Sequence, residues 1–198
     1  MPVSVTPRRD ALLPYMPAYA EAFSDGGEVA SSPYTIFFQP LEYRSAVVNT
    51  DQLGFRLSTN PRGAAVSVAE HGGGRVNLLA GSSTAFGIGA SGDEHTLASL
   101  LSTPQRSGET WLNFSGRSFN SVQEYLLAAL HHHRLESVDR IILLSGFNNL
   151  GLSRQPASVL DDHATFFMRQ RYESLREDDG VFSGLLRRRS LQRPSPSA

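Results

Sequence analysis

Two adjacent serines, Ser82 and Ser83, stand in "GSSTAFG" (81–87), directly after the apolar run "RVNLLA". A serine hydroxyl at such a strand-to-helix turn can act as a nucleophile. Outward-pointing backbone N–H groups and the positive end of a helix dipole then stabilise the oxyanion that its attack creates. Two more turns of this kind follow apolar runs, "FSGRSFN" (114–120) and "SGFNNL" (145–150). In a parallel α/β sheet ligands bind outside the carboxyl ends of the strands, so adjacent strands would bring the three turns together. Asn148, in the third, could then donate a side-chain N–H to the same oxyanion. Taken alone, the serine turn reads better as a tight connection of small residues.

The elements that must position these turns follow from periodicity. "RVNLLAG" (75–81) reads as a buried strand, "TWLNFSG" (110–116) as a second, and "VDRIILLSG" (138–146) as the clearest buried strand in the chain. Between them, "DEHTLASLLS" (93–102) has apolar residues at helical spacing, with Asp93 and Glu94 suited to a helix N-terminus. "SVQEYLLAALHHHRL" (121–135) is a strong helix, with Ser121 and Glu124 at capping-box spacing. The order β-turn-α-β-turn-α-β-turn predicts a parallel sheet covered by helices. Upstream, residues 34–57 are aromatic and β-branched and predict two or three short strands; "STNPRGAA" and "EHGGGR" read as turns. Phe166 to Leu175 has the pattern of one further helix, and "RRRSLQRPSPSA" ends the chain as a solvated charged tail.

Composition narrows the chemistry. The 198 residues suit one domain with a real core. A net charge of −1 gives no nucleic-acid footprint. All 18 basic residues are Arg, which removes any lysine nucleophile or Schiff base. The absence of cysteine excludes disulfides, thiolate metal sites and thiol catalysis. No apolar run approaches membrane-spanning length and the N-terminal stretch lacks a signal-peptide core, so a cytoplasmic protein without a membrane span is expected.

The turn residues also resemble a known family. "GSSTAFG" is similar to the first block of SGNH/GDSL-type hydrolases, in which the third residue is the nucleophilic serine, here Ser83. "LNFSGRSFNS" (112–121) resembles the second block, whose glycine amide joins the oxyanion hole; that position falls on Ser118, with Gly116 displaced by two. "GFNN" (146–149) resembles the third block, whose Asn side chain is another oxyanion donor, here Asn148. Upstream, "NTDQLGFR" (49–56) is similar to an "N-x-x-GFR" stretch that precedes the serine block in some bacterial members. The resemblance spans roughly residues 34–152. It implies a three-layer α/β/α sandwich of the flavodoxin-like SGNH type with a mainly parallel sheet. It also implies hydrolysis or transfer of an acyl group from an ester or thioester, small or carrier-bound, with no cofactor and no metal.

The family's last block, Asp-x-x-His, supplies the base, and it is absent from this chain. His163, preceded by Asp161 and Asp162, is the late histidine that could serve as base, with Asp161 or Asp162 as its orienting carboxylate. On this reading residues 1–74 are an extension with short strands, 75–186 an SGNH-like domain shortened at its C-terminal end, and 187–198 a tail. A shortened sheet leaves an edge for a second copy or a partner chain to cover. Two other readings stay open: an inactive SGNH-like domain acting in assembly, and a nucleotide-binding α/β domain using "GIGASG" (87–92). That glycine run begins six residues after the strand ends, with the serine turn in the place it would need. "HHH" (131–133) is a poor metal motif because consecutive helical residues point apart.

Overall fold

The computed structural model describes residues 30–32 and 36–154, and among these it has seven strands and four α-helices. β1 (Ala30–Ser32) and β2 (Ile36–Phe38) pair antiparallel, as do β3 (Ser58–Thr59) and β4 (Ala65–Val66) around the turn 60–64. β5 (Arg75–Gly81), β6 (Trp111–Ser115) and β7 (Ser137–Leu144) form a parallel sheet in the order β6-β5-β7. The helices are α1 (Ser83–Phe86), α2 (Leu97–Ser102), α3 (Ser121–His131) and α4 (Phe147–Ser153). The chain is therefore mixed α/β with a small parallel sheet, as the alternating pattern requires. Among the described residues no helix is long and apolar enough to cross a membrane.

The period-2 alternation of β5 and β6 sorts their side chains onto two faces. Val76 and Leu78 join Leu112 and Phe114 on one face, packed with Leu127 of α3 and with Phe55, Val66, Val68 and Phe119. Leu79 and Trp111 lie on the other, packed with Ala85 of α1 and Ala98 of α2. Phe55 stacks on Phe114 at 5.2 Å and takes the His131 ring edge-on at 5.1 Å. Residues from the 39–74 stretch thus share one core with the sheet.

Three expectations shift by local physics. The N-cap of α3 is Asn120, whose side chain accepts the Val122 and Gln123 amides, and Gln123 returns the bond to complete a capping box. The box is therefore one residue earlier than Ser121–Glu124, because Glu124 turns inward. The 93–102 segment begins as a 3-10 turn, Asp93–His95, and Thr96 then caps α2 through its side chain. The third correction is β7. The apolar run forms a strand, but all eight of its residues are exposed, because it is an edge with no described element packed beyond it.

Candidate functional site

Register places the three chemistry-bearing turns at one end of the sheet. Gly81 at the end of β5 pairs with Ser115 of β6 and with Leu144 of β7, so all three strands release their turns together. Gly81 is required there. Its φ is +146°, and a Cβ would lie 2.1 Å from the Leu144 carbonyl oxygen. The Gly116 amide donates to the Gly81 carbonyl at 3.1 Å, fastening the second turn to the first.

Ser82 occupies the N-cap position of α1 without capping through its side chain, and it is buried. Ser83 follows as the first helical residue and is half-buried. Its hydroxyl and its amide have no hydrogen-bond partner among the described residues, and neither does the amide of Ser118. Ser118 has φ +61°, the left-handed region in which glycine is the unstrained residue.

A four-residue helix cannot satisfy its own terminal carbonyls, and buried donors do it for α1. Arg56, fully buried, donates from Nη1 to the carbonyls of Gly87 (2.8 Å) and Phe86 (3.2 Å) and from Nη2 to that of Val47 (2.8 Å). Its Nε meets Asp93 Oδ1 at 2.7 Å, and Asn49 Nδ2 donates to Asp93 Oδ2 at 2.8 Å. Asn113 Nδ2 adds a bond to the Phe86 carbonyl at 3.2 Å. The Arg56 guanidinium also lies 5.3 Å from the Phe86 ring centre. Gly87 ends α1 in the left-handed conformation at φ +84°. The serine turn is thus held from its far end by a buried ionic network. Sequence reasoning gave Arg56 and Asp93 no part in it; the available signal was an arginine directly following the core residue Phe55.

The third turn is laced to the second. Asn148 Nδ2 donates to the Phe119 carbonyl at 2.7 Å, while Asn149 accepts the Ser121 amide at 3.0 Å and donates to the Ser121 hydroxyl at 2.6 Å. Ser145 donates to Glu124 Oε2, and the other Glu124 oxygen is buried with no partner among the described residues. Burial pushes the Glu124 carboxyl up, while the Ser145 bond acts in the opposite sense. The expected oxyanion side chain, Asn148, therefore gives one of its two N–H groups to a backbone carbonyl.

His95 is exposed, with Nδ1 2.8 Å from the Ser91 hydroxyl. His131 is half-buried against Phe55, and burial lowers its pKa, with Arg134 and His133 adding to the effect. The glycine run 87–92 begins at the C-terminus of α1, not at the end of β5. His163, Asp161 and Asp162 lie outside the described residues, as does the helix expected over Phe166–Leu175. The sequence matches no protein-family model and no curated protein.

Proposed function

We propose that this chain is a serine hydrolase or acyltransferase of the SGNH-like kind, with the corresponding three-layer α/β/α architecture, acting on an ester or thioester. The observation that carries the reading is that the Ser83 hydroxyl and the amides of Ser83 and Ser118 have no hydrogen-bond partner among the described residues, on turns that leave adjacent parallel strands. In this mechanism Ser83 Oγ attacks the acyl carbon. The two amides receive the oxyanion. Its collapse expels the alcohol or thiol, which takes up the proton the base removed from Ser83. Water or an acceptor hydroxyl then attacks the acyl-enzyme and releases the acyl group. The strand order, second-first-third, puts the topological switch point between β5 and β7, where ligands of flavodoxin-like sheets bind. The left-handed backbone at Ser118 supports matching that residue to the family's glycine. His163, oriented by Asp161, is the proposed base.

A second reading, an inactive domain that serves in assembly, draws on one observation: Asn148 gives one of its two side-chain N–H groups to the Phe119 carbonyl. An organophosphonate probe that phosphonylates activated serines separates the two readings. The hydrolase reading expects a single adduct, mapped to Ser83 and absent from Ser83→Ala. No adduct on the folded chain favours the assembly reading.

A further inference from the structure

The three turns released together at the end of the sheet carry one formal charge between them, and it is Arg117 in "FSGRSFN". Its turn is fixed on both sides. The Gly116 amide donates to the Gly81 carbonyl at 3.1 Å. The Phe119 ring, fully buried, packs so closely on Gly116 that a Cβ there would lie 2.4 Å from it. Arg117 itself is partly exposed, and its guanidinium lies 6.0 Å from the ring centre of Phe86. That is cation–π range, in which a guanidinium is attracted to the face of a ring. Phe86 is the last residue of α1 and Ser83 the first, three positions apart and so neighbours on the helix surface. Arg117 therefore places its charge against the helix that carries Ser83. The other arginine on this ring, Arg56, is fully buried, and Asp93 meets its charge at 2.7 Å.

We propose that Arg117 is a specificity-determining residue that binds an anionic group of the substrate, so that the preferred esters carry a carboxylate or a phosphate. The inference rests on the hydrolase reading and narrows its substrate class. A guanidinium is a planar fork of N–H donors that matches the two oxygens of a carboxylate or phosphate. Set on a rigid turn, it loses little freedom when it binds, which favours recognition over a loose surface charge. The remaining residues of the three turns are small, apolar or neutral hydrogen-bonding ones, and none of them repels an anion.

The test compares kcat/KM of the full chain on three chromogenic esters. Para-nitrophenyl pentanoate is neutral, para-nitrophenyl glutarate carries a carboxylate on the acyl side, and the pentanoate ester of a hydroxy-nitrobenzoate carries one on the leaving side. One of the two anionic esters should exceed the neutral one by about tenfold, the scale of a charge-assisted hydrogen bond. That ester also shows which side of the substrate bears the anion. The preference should shrink as salt is raised. Arg117→Gln should bring the anionic-to-neutral ratio to about one, and Arg117→Lys should keep part of it. The ratio is taken within each protein, so a general loss of activity does not mimic the effect. Equal kcat/KM on all three esters, or a preference that survives Arg117→Gln, overturns the proposal. A second measurement needs no turnover. In Ser83→Ala, glutarate should shift the Arg117 Nε–H resonance, identified by its absence from Ser83→Ala/Arg117→Gln, and neutral dimethyl glutarate should not. No shift with glutarate also overturns the proposal. Turnover without the anionic preference removes this inference and leaves the hydrolase reading, whereas a glutarate shift in a protein that turns over none of the esters does the reverse.

Discussion

Replacing Arg56 with methionine should be among the most damaging single changes in the described fold. The side chain is fully buried, meets Asp93 at 2.7 Å and supplies donors to the carbonyls of Val47, Phe86 and Gly87. Methionine keeps much of the volume and removes every donor. Truncating one partner of a buried ion pair costs about 3–5 kcal/mol, because the other charge and its acceptors stay buried and unpaired. Asp93 keeps some exposure and its bond from Asn49, so the expected loss is about 3 kcal/mol, near the lower end. For a chain of this size that lowers Tm by roughly 10 °C. Trp111, the sole tryptophan, is buried beside α1 and α2 and reports the transition by fluorescence in urea. Asp93→Asn should cost less, and the double variant less than the sum of the singles, since both remove the same contact. A loss below about 1 kcal/mol for Arg56→Met would refute the view that this network holds the serine turn.

Three further outcomes follow from the same geometry. Gly81→Ala should cost about 3 kcal/mol in urea unfolding, since its Cβ would collide with the Leu144 carbonyl and the residue would also be strained. Ser118→Gly should raise stability by about 0.5–1 kcal/mol in thermal melts, relief of the left-handed backbone outweighing the added freedom of the unfolded chain. Burial raises the folded pKa of Glu124, so the native state holds that proton more tightly than the unfolded chain does. Its stabilising contribution is full below the ordinary glutamate pKa of about 4.3 and is lost as pH rises through the elevated folded value. Glu124→Gln, which can still accept from Ser145, should flatten that decline and gain about 1 kcal/mol at pH 7, read from urea midpoints at several pH values.

Much of the sheet was legible because its strands are short apolar runs ending in turn residues. β5 falls on Arg75–Gly81 as the run predicts, and β6 ends within a residue of its expected bounds. The burial of β7 was not legible, since composition reports what a strand is suited to and not what lies beside it. Asn120 and Ser121 are both competent N-caps, and each has a capping partner three residues on, so spacing alone could not choose between them. The choice is made by Glu124, which faces Ser145 inside the fold and is unavailable to the helix terminus. Arg56 was hidden for a related reason. A loop arginine ordinarily reads as solvated, and only the folded chain brings Asp93 and the α1 carbonyls around it. At the site, position was legible and engagement was not: Ser83 has no hydrogen-bond partner among the described residues, whereas Asn148 donates one N–H to Phe119.

The most direct test of the central claim is turnover of a short-chain activated ester by the purified full chain, beside Ser83→Ala and His163→Ala. The account predicts measurable hydrolysis by the wild type and its loss in Ser83→Ala with an unchanged melting profile. It also predicts a fall of about 10²-fold or more in His163→Ala if that imidazole is the base. Equal rates in wild type and Ser83→Ala, or no turnover by either folded protein, would contradict it.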